Sequence, residues 1–226
     1  MAEKLNQNIV IFDFCETLVN FQTADAYVDF VRRKLNSKKM NFLEFFLTIL
    51  IKTRIIMIFY KLFPYQSIEK RIKLYQLKGL KKHRLIELAE QFYNENIRPN
   101  LILLILDKLK DCQEKSKQIL IVSGGYSIYL DFFCREFNVP QLISTKIEFK
   151  NNICTGKILG LDCLYHNKIN LLADNGIVDG QGIVCYTDSV TDLPLLDFCQ
   201  RGIVVSKNHE QKWAIELGFE QLIWSE

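Results

Sequence analysis

Apolar residues follow two different rhythms along this chain. Unbroken runs lie within residues 9–12, 118–122 and 182–186, and each stops at a small or polar residue: Asp13, Ser123, and Thr187 with Asp188. From 21 to 97, by contrast, apolar positions recur at helical spacing, with Gly79 as the single glycine of the stretch. A run without alternation suits a parallel strand covered on both faces. The first run therefore reads as a buried strand delivering Asp13 to the carboxyl edge of a sheet, where open α/β proteins place their ligands. An aspartate that merely caps the next helix is the ordinary alternative for any one such pattern, so the rest of the chain has to decide.

Beyond the first strand the pattern predicts several helices up to about residue 97, where Arg98-Pro99-Asn100 punctuates the chain. A helix is expected over 101–109, a strand over 118–122, a helix over 126–137 and an extended segment over 141–149. A hairpin turn at Asn151-Asn152 returns the chain over 154–158. A helix over 166–173, a strand over 182–186, a helix over 193–199 and a strand over 202–205 complete the reading. Strands alternating with helices imply an α/β fold, a three-layer parallel-sheet core. The core is expected from residues 1–20 and 98–226, with 21–97 as an inserted all-helical unit.

Residues 41–63 are apolar enough to raise a membrane span, but Glu44, Lys52 and Arg54 interrupt them. A span needs about 20 predominantly apolar residues, and each central charge costs about 2.5–3.5 kcal/mol. The pattern favours a buried helical hairpin, with an interfacial helix on a membrane surface as the alternative.

Composition narrows the class. With 226 residues and 49% hydrophobic content, the chain can bury a full core. The cysteines at 15, 112, 134, 154, 163, 185 and 199 show neither a C-x-x-C pair nor zinc-ligand spacing, and no signal peptide precedes them. Reduced thiols in a cytoplasm are expected. His83, His166 and His209 are too scattered to suggest a shared metal site. Residues 21–97 carry 15 Lys+Arg against 7 Asp+Glu, giving +8, while the remainder carries 14 against 19, giving −5. That division would draw an anionic substrate to the seam, while a net charge of +3 argues against nucleic acid as a partner.

Three further segments supply candidate chemistry. Ser123-Gly124-Gly125 ends a strand in a hydroxyl and unobstructed backbone N–H groups, a turn that suits phosphate, although such turns also occur for conformational reasons alone. Lys168 is a cation in the helix after the hairpin. Asp188 and Asp192 straddle a strand end and the next helix, two carboxylates four apart that offer oxygen ligands to magnesium.

In this chain order, Asp13-Phe14-Cys15-Glu16-Thr17-Leu18, Ser123-Gly124-Gly125, Lys168 and Asp188-Ser189-Val190-Thr191-Asp192-Leu193-Pro194 resemble the four motifs of the haloacid dehalogenase-like hydrolases, particularly the phosphoserine phosphatase-like branch. The resemblance implies a phosphomonoester hydrolase with an aspartyl-phosphate intermediate and a helical cap formed by 21–97. It makes Asp13 the nucleophile. Magnesium would be held by Asp13, the main-chain carbonyl of Cys15, Asp188 and Asp192, and the phosphoryl group by Ser123, Gly124 and Lys168.

Two positions depart from the family's pattern. Cys15 stands where most family phosphatases carry a second aspartate that serves as general acid and base, and a thiol with an ordinary pKa of about 8.5 is the poorer acid. Either Cys15 or Glu16 substitutes, or the leaving group needs little protonation, or the domain only binds phosphorylated ligands. Gln22 stands where phosphoserine-specific relatives place a glutamate, so the substrate differs, with Glu16, Gln22 and Arg54 as candidate contacts. The expected substrate is a small phosphorylated metabolite: an amino-alcohol, polyol or sugar phosphate. The string from Asp13 to Val19 is similar to members acting in bacterial capsule or lipopolysaccharide assembly. A lipid phosphate of the phosphatidylglycerophosphate type is the enzyme alternative, motivated by the apolar 41–63.

Overall fold

A computed structural model describes residues 9–36, 38–52 and 67–225. Among these residues the strands form one seven-stranded sheet. The strands are β1 (Ile9–Phe12), β2 (Gln118–Tyr126), β3 (Gln141–Lys150), β4 (Ile153–Leu159), β5 (Val184–Thr187), β6 (Arg201–Lys207) and β7 (Glu220–Trp224). Their order is β4-β3-β2-β1-β5-β6-β7, parallel except for β4, which pairs antiparallel with β3. β1 lies at the centre, and all four of its residues are buried.

Alternation along β1 and β2 divides the core between the two faces of the sheet. Val10, Phe12, Ile119 and Ile121 point into one apolar cluster, and Ile9, Ile11, Leu120 and Val122 into the other. The first cluster is completed by the helices between β1 and β2 and by α6 (Ser127–Glu136). The second is completed by α7 (Asn167–Asp174) and α8 (Leu193–Phe198).

Among the described residues four helices follow β1 before the chain reaches Arg98: α1 (Thr23–Leu35), α2 (Lys38–Lys52), α3 (Ile68–Tyr75) and α4 (Lys82–Phe92). α1 forms where Thr23, Tyr27, Phe30 and Val31 share one buried face, and it stops at Asn36, whose left-handed φ of 45° closes the C-terminus. α4 runs on through a π-helical turn (Tyr93–Ile97) and a 3₁₀ turn (Arg98–Asn100), with Pro99 near the start of the latter, before α5 (Leu103–Glu114). The two chain segments that join these helices to the sheet pair with each other: Ile102 N–H donates to Leu18 O at 2.9 Å and Asn20 N–H to Asn100 O at 3.1 Å. A second seam joins α3 and α4 to the β3–β4 hairpin. Lys82 N–H donates to Asn152 O at 2.8 Å, Cys154 N–H to Leu80 O at 2.8 Å, and Gly79 N–H to Cys154 O at 2.9 Å.

The expected hairpin is present, with Asn151 and Asn152 both left-handed (φ 50° and 61°), as a two-residue primed turn requires. Two features differ from the sequence reading. β2 does not stop at 122 but continues to Tyr126 through a shift of register between Ser123 and Tyr126, because Gly124 and Gly125 let the strand bulge and then resume pairing with β3. Beyond the last expected strand the chain adds α9 (Lys212–Glu216) and the edge strand β7. Among the described residues no helix is long and apolar enough to cross a membrane.

Candidate active site

The carboxyl ends of β1, β2 and β5 converge on a cavity of about 340 Å³. Asp13, Cys15, Gly124, Lys168, Asp188 and Asp192 line its inner wall, and Gln22, Asp25, Ser67, Glu69 and Lys70 its outer one. The inner residues are the sequence candidates, drawn together from positions up to 179 residues apart.

Asp13 leaves β1 with its N–H bonded to Tyr186 O of β5 at 2.8 Å, which fixes the carboxylate at the sheet edge. Lys168, from the first turn of α7, places its ammonium 2.9 Å from Asp13 Oδ1 and 2.6 Å from Asp192 Oδ2, and Thr187 Oγ1 donates to that same Asp192 oxygen at 2.6 Å. All three charged groups are nearly inaccessible: Asp13 is 5% exposed, Lys168 2% and Asp192 3%. Asp188 accepts from Thr17 Oγ1 at 3.2 Å.

Burial and like charge set the electrostatics. Asp13 is pushed up to about 6, mainly by burial; Lys168 opposes the shift and Asp192 adds to it. Asp188 is pushed up to about 8 by burial and then by the charges of Asp13, Glu16 and Asp192. Burial lowers the Lys168 pKa, but the two carboxylates outweigh it and hold the ammonium charged. The site thus carries more buried negative charge than Lys168 neutralises.

Ser123 is fully buried behind the cavity wall, and its Oγ accepts from Gly125 N–H at 3.1 Å, which leaves its own proton free to point elsewhere. A Cβ on Gly125 would be crowded, standing 3.0 Å from Tyr129 OH and 3.1 Å from Thr23 Oγ1. Those two hydroxyls belong to a chain of polar contacts that sequence reasoning missed. Cys15 Sγ is 3.0 Å from Thr23 Oγ1, Thr23 Oγ1 is 2.8 Å from Tyr129 OH, and Tyr129 OH accepts from Tyr126 N–H at 2.8 Å. The Cys15 thiol is pushed up to about 11 by burial and by the Asp13 charge, so it is neutral across the physiological range.

Glu16 is exposed, left-handed at φ 54°, and bonded by Gln22 Nε2 at 2.5 Å; of this pair only Gln22 reaches the cavity wall. Arg54 lies outside the described residues. Lys70 and Asp162 form a buried ion pair beside the cavity that no pattern in the sequence marks out.

Among the described residues no three His, Cys, Asp or Glu side chains form a ready-made metal cage. Magnesium does not demand one, because it keeps several waters and takes one or two carboxylates together with substrate phosphate. Asp13 and Asp188, both raised mainly by burial and offering only oxygen, are a fitting donor set.

A sequence model of the haloacid dehalogenase-like hydrolases matches residues 10–197. No curated protein matches the chain. Among solved structures, a protein of unknown function from Bordetella pertussis Tohama I superposes with a TM-score of 0.77 at 22% identity, over 96% of this chain and 98% of that one. A phosphoserine phosphohydrolase-like protein from Francisella tularensis subsp. tularensis SCHU S4 gives 0.65 at 18% identity, over 95% and 94%. A phospho-aspartyl intermediate analogue of phosphoserine phosphatase gives 0.61 at 15% identity, over 96% and 93%. At these identities the likenesses speak for the fold.

Proposed function

Since the chain belongs to the haloacid dehalogenase-like hydrolases, their model spanning residues 10–197, we propose that it hydrolyses phosphomonoesters through a covalent intermediate on Asp13. The observation that carries this reading is the buried Asp13–Lys168–Asp192 array at the mouth of β1 and β5, facing Gly124 across one cavity. An Asp13 carboxylate oxygen attacks phosphorus while the bond to the ester oxygen breaks; water then cleaves the acyl phosphate, releasing phosphate and restoring the carboxylate. Lys168 balances the phosphoryl oxygens and orients Asp13, with Ser123 Oγ–H and the Gly124 N–H as further donors. Asp13, the Cys15 carbonyl and Asp188 would hold magnesium, with Asp192 orienting that set directly or through water, and the ion would supply the positive charge that offsets repulsion between the anionic nucleophile and the anionic ester. The helices over 21–97 serve as the cap, which supplies the outer wall and excludes water.

Cys15 is a weak acid here, because its pKa is pushed up to about 11. Esters whose leaving oxygen needs little protonation are therefore turned over fastest. On the outer wall Asp25 pairs with Lys73 at 3.3 Å, while Glu69 adds a carboxylate from the first turn of α3. The Glu69 carboxylate favours an amino-alcohol phosphate over a polyol or sugar phosphate. The Asp13 to Val19 segment supports a place in cytoplasmic steps of surface-polysaccharide assembly.

A panel of phosphomonoesters, read by phosphate release with magnesium and with a chelator, tests the proposal. Turnover that requires the metal and is lost in Asp13→Asn is expected; turnover surviving in Asp13→Asn overturns it, and phosphate binding without any turnover leaves a ligand-binding domain. One observation favours a lipid phosphate as a second reading: Phe42, Phe45, Phe46 and Ile49 form an exposed stripe on α2, 40–68% accessible. Co-sedimentation with anionic vesicles, abolished in Phe45→Asp, would support it; no co-sedimentation would remove it.

A further inference from the structure

Lys70 lines the cavity beside Gly124 and invites assignment as a second phosphate-binding cation. Its hydrogen bonds exclude that. An ammonium has three protons, and those of Lys70 go to Gly124 O at 2.7 Å, Thr145 Oγ1 at 3.1 Å and Asp162 Oδ1. The residue is 8% exposed and Asp162 5%. No donor remains for a substrate oxygen.

The partners belong to three different parts of the fold. Lys70 comes from α3, within the helices inserted after β1; Gly124 is in the bulge of β2; Thr145 is in β3. Asp162 heads the loop that leads into α7 and Lys168. It is held on the insertion side by Ser67 Oγ at 2.6 Å and on the core side by Thr145 Oγ1 at 2.7 Å, and its carbonyl accepts from Asn167 Nδ2 at 3.1 Å, one residue before Lys168. The same ammonium therefore anchors the loop carrying the catalytic lysine and one peptide of the phosphate turn. Fixing the Gly124 carbonyl fixes the Gly124–Gly125 peptide plane, whose N–H is spent on Ser123 Oγ. With that lone pair occupied, the Ser123 proton is left to donate.

Resting on the phosphatase reading above, we propose that Lys70 is a positioning residue: a latch from the helical insertion that sets the Ser123-Gly124-Gly125 turn and the Lys168 loop, so that the phosphate site is complete only while the insertion is docked. Charge-assisted bonds of this kind are about twice as strong as neutral ones, and Met, which matches the length of Lys without its donors, removes all three.

Inorganic phosphate affinity with magnesium, measured by calorimetry, together with kcat and KM for p-nitrophenyl phosphate, tests the latch in Lys70→Met, Lys70→Arg and Ser67→Ala. Lys70→Met is expected to weaken phosphate binding about tenfold or more and to lower kcat. Lys70→Arg should recover most of both, and Ser67→Ala should remain folded while losing about threefold in affinity. A folded Lys70→Met that binds phosphate within twofold of the parent overturns the latch; if Lys70→Met does not fold, unchanged affinity in Ser67→Ala overturns it. Because affinity is read apart from turnover, a parent that binds phosphate without hydrolysing esters defeats the phosphatase reading alone, and Lys70→Met still decides the latch.

Discussion

Replacing Lys168 by Met should destabilise the protein far more than an ordinary surface charge deletion. The ammonium is 2% exposed and bonded to two carboxylates, Asp13 and Asp192, each at most 5% exposed. Removing one partner of a buried ion pair costs about 3–5 kcal/mol, because the remaining charge is left without compensation. For a domain of 150–250 residues each kcal/mol moves Tm by about 2–4 °C, so a fall on the order of 6–20 °C is expected. The deficit should depend on pH. Without Lys168 the influence that lowers the Asp13 pKa is gone, so its folded-state value climbs above about 6. A carboxyl whose pKa is raised by folding penalises the folded state fully above that raised value, and the penalty fades as pH falls towards the ordinary carboxyl range. The variant should therefore approach the parent between pH 7.5 and 4.5, and Asp13→Asn/Lys168→Met should be more stable than Lys168→Met alone at pH 7.5. Urea denaturation followed by circular dichroism reads all three. A loss below about 1 kcal/mol at pH 7.5, or one that does not shrink on acidification, would refute the claim that Lys168 stabilises the fold by neutralising buried carboxylates.

Cys15→Asp should raise kcat for alkyl phosphates by about tenfold or more, against the 10²–10⁴-fold typical of general acid–base help, while changing aryl phosphate turnover little. An equal change on both would show that leaving-group protonation does not limit the rate. Glu69→Gln should raise KM for an amino-alcohol phosphate several-fold and leave a polyol phosphate of similar size unaffected; parallel changes in both would remove Glu69 from substrate recognition.

What could be read from sequence was what short-range pattern carries. Asp13, Ser123 and Asp188 each follow a short apolar run that reads as a buried strand, and the parallel pairing of β1 with β2 and β5 brings those strand ends to one sheet edge. The polar chain from Cys15 through Thr23 to Tyr129 could not be read, because Thr23 and Tyr129 are 106 residues apart and look like ordinary helix residues. Lys70 and Asp162, 92 apart, escaped for the same reason: a lysine on a basic amphipathic helix reads as solvated until tertiary packing buries it. β7 escaped because it follows a five-residue helix and the turn at Gly218, too short a span for either periodicity to register.

The hydrogen bonds between residues 79–82 and the β3–β4 hairpin bear on how this architecture could be re-engineered. Grafting the helices of a relative onto this sheet, with the joints at the paired segments 18–20 and 100–102, would replace the partners of Asn152 O and Cys154 N–H and O. Cys154 is buried, and an unfilled buried donor or acceptor costs about 1–3 kcal/mol, so a chimera cut only there starts from a deficit unrelated to its new substrate contacts. Exchanging 141–159 together with the helices would carry the seam over intact, which makes the transferable module two separate stretches of chain.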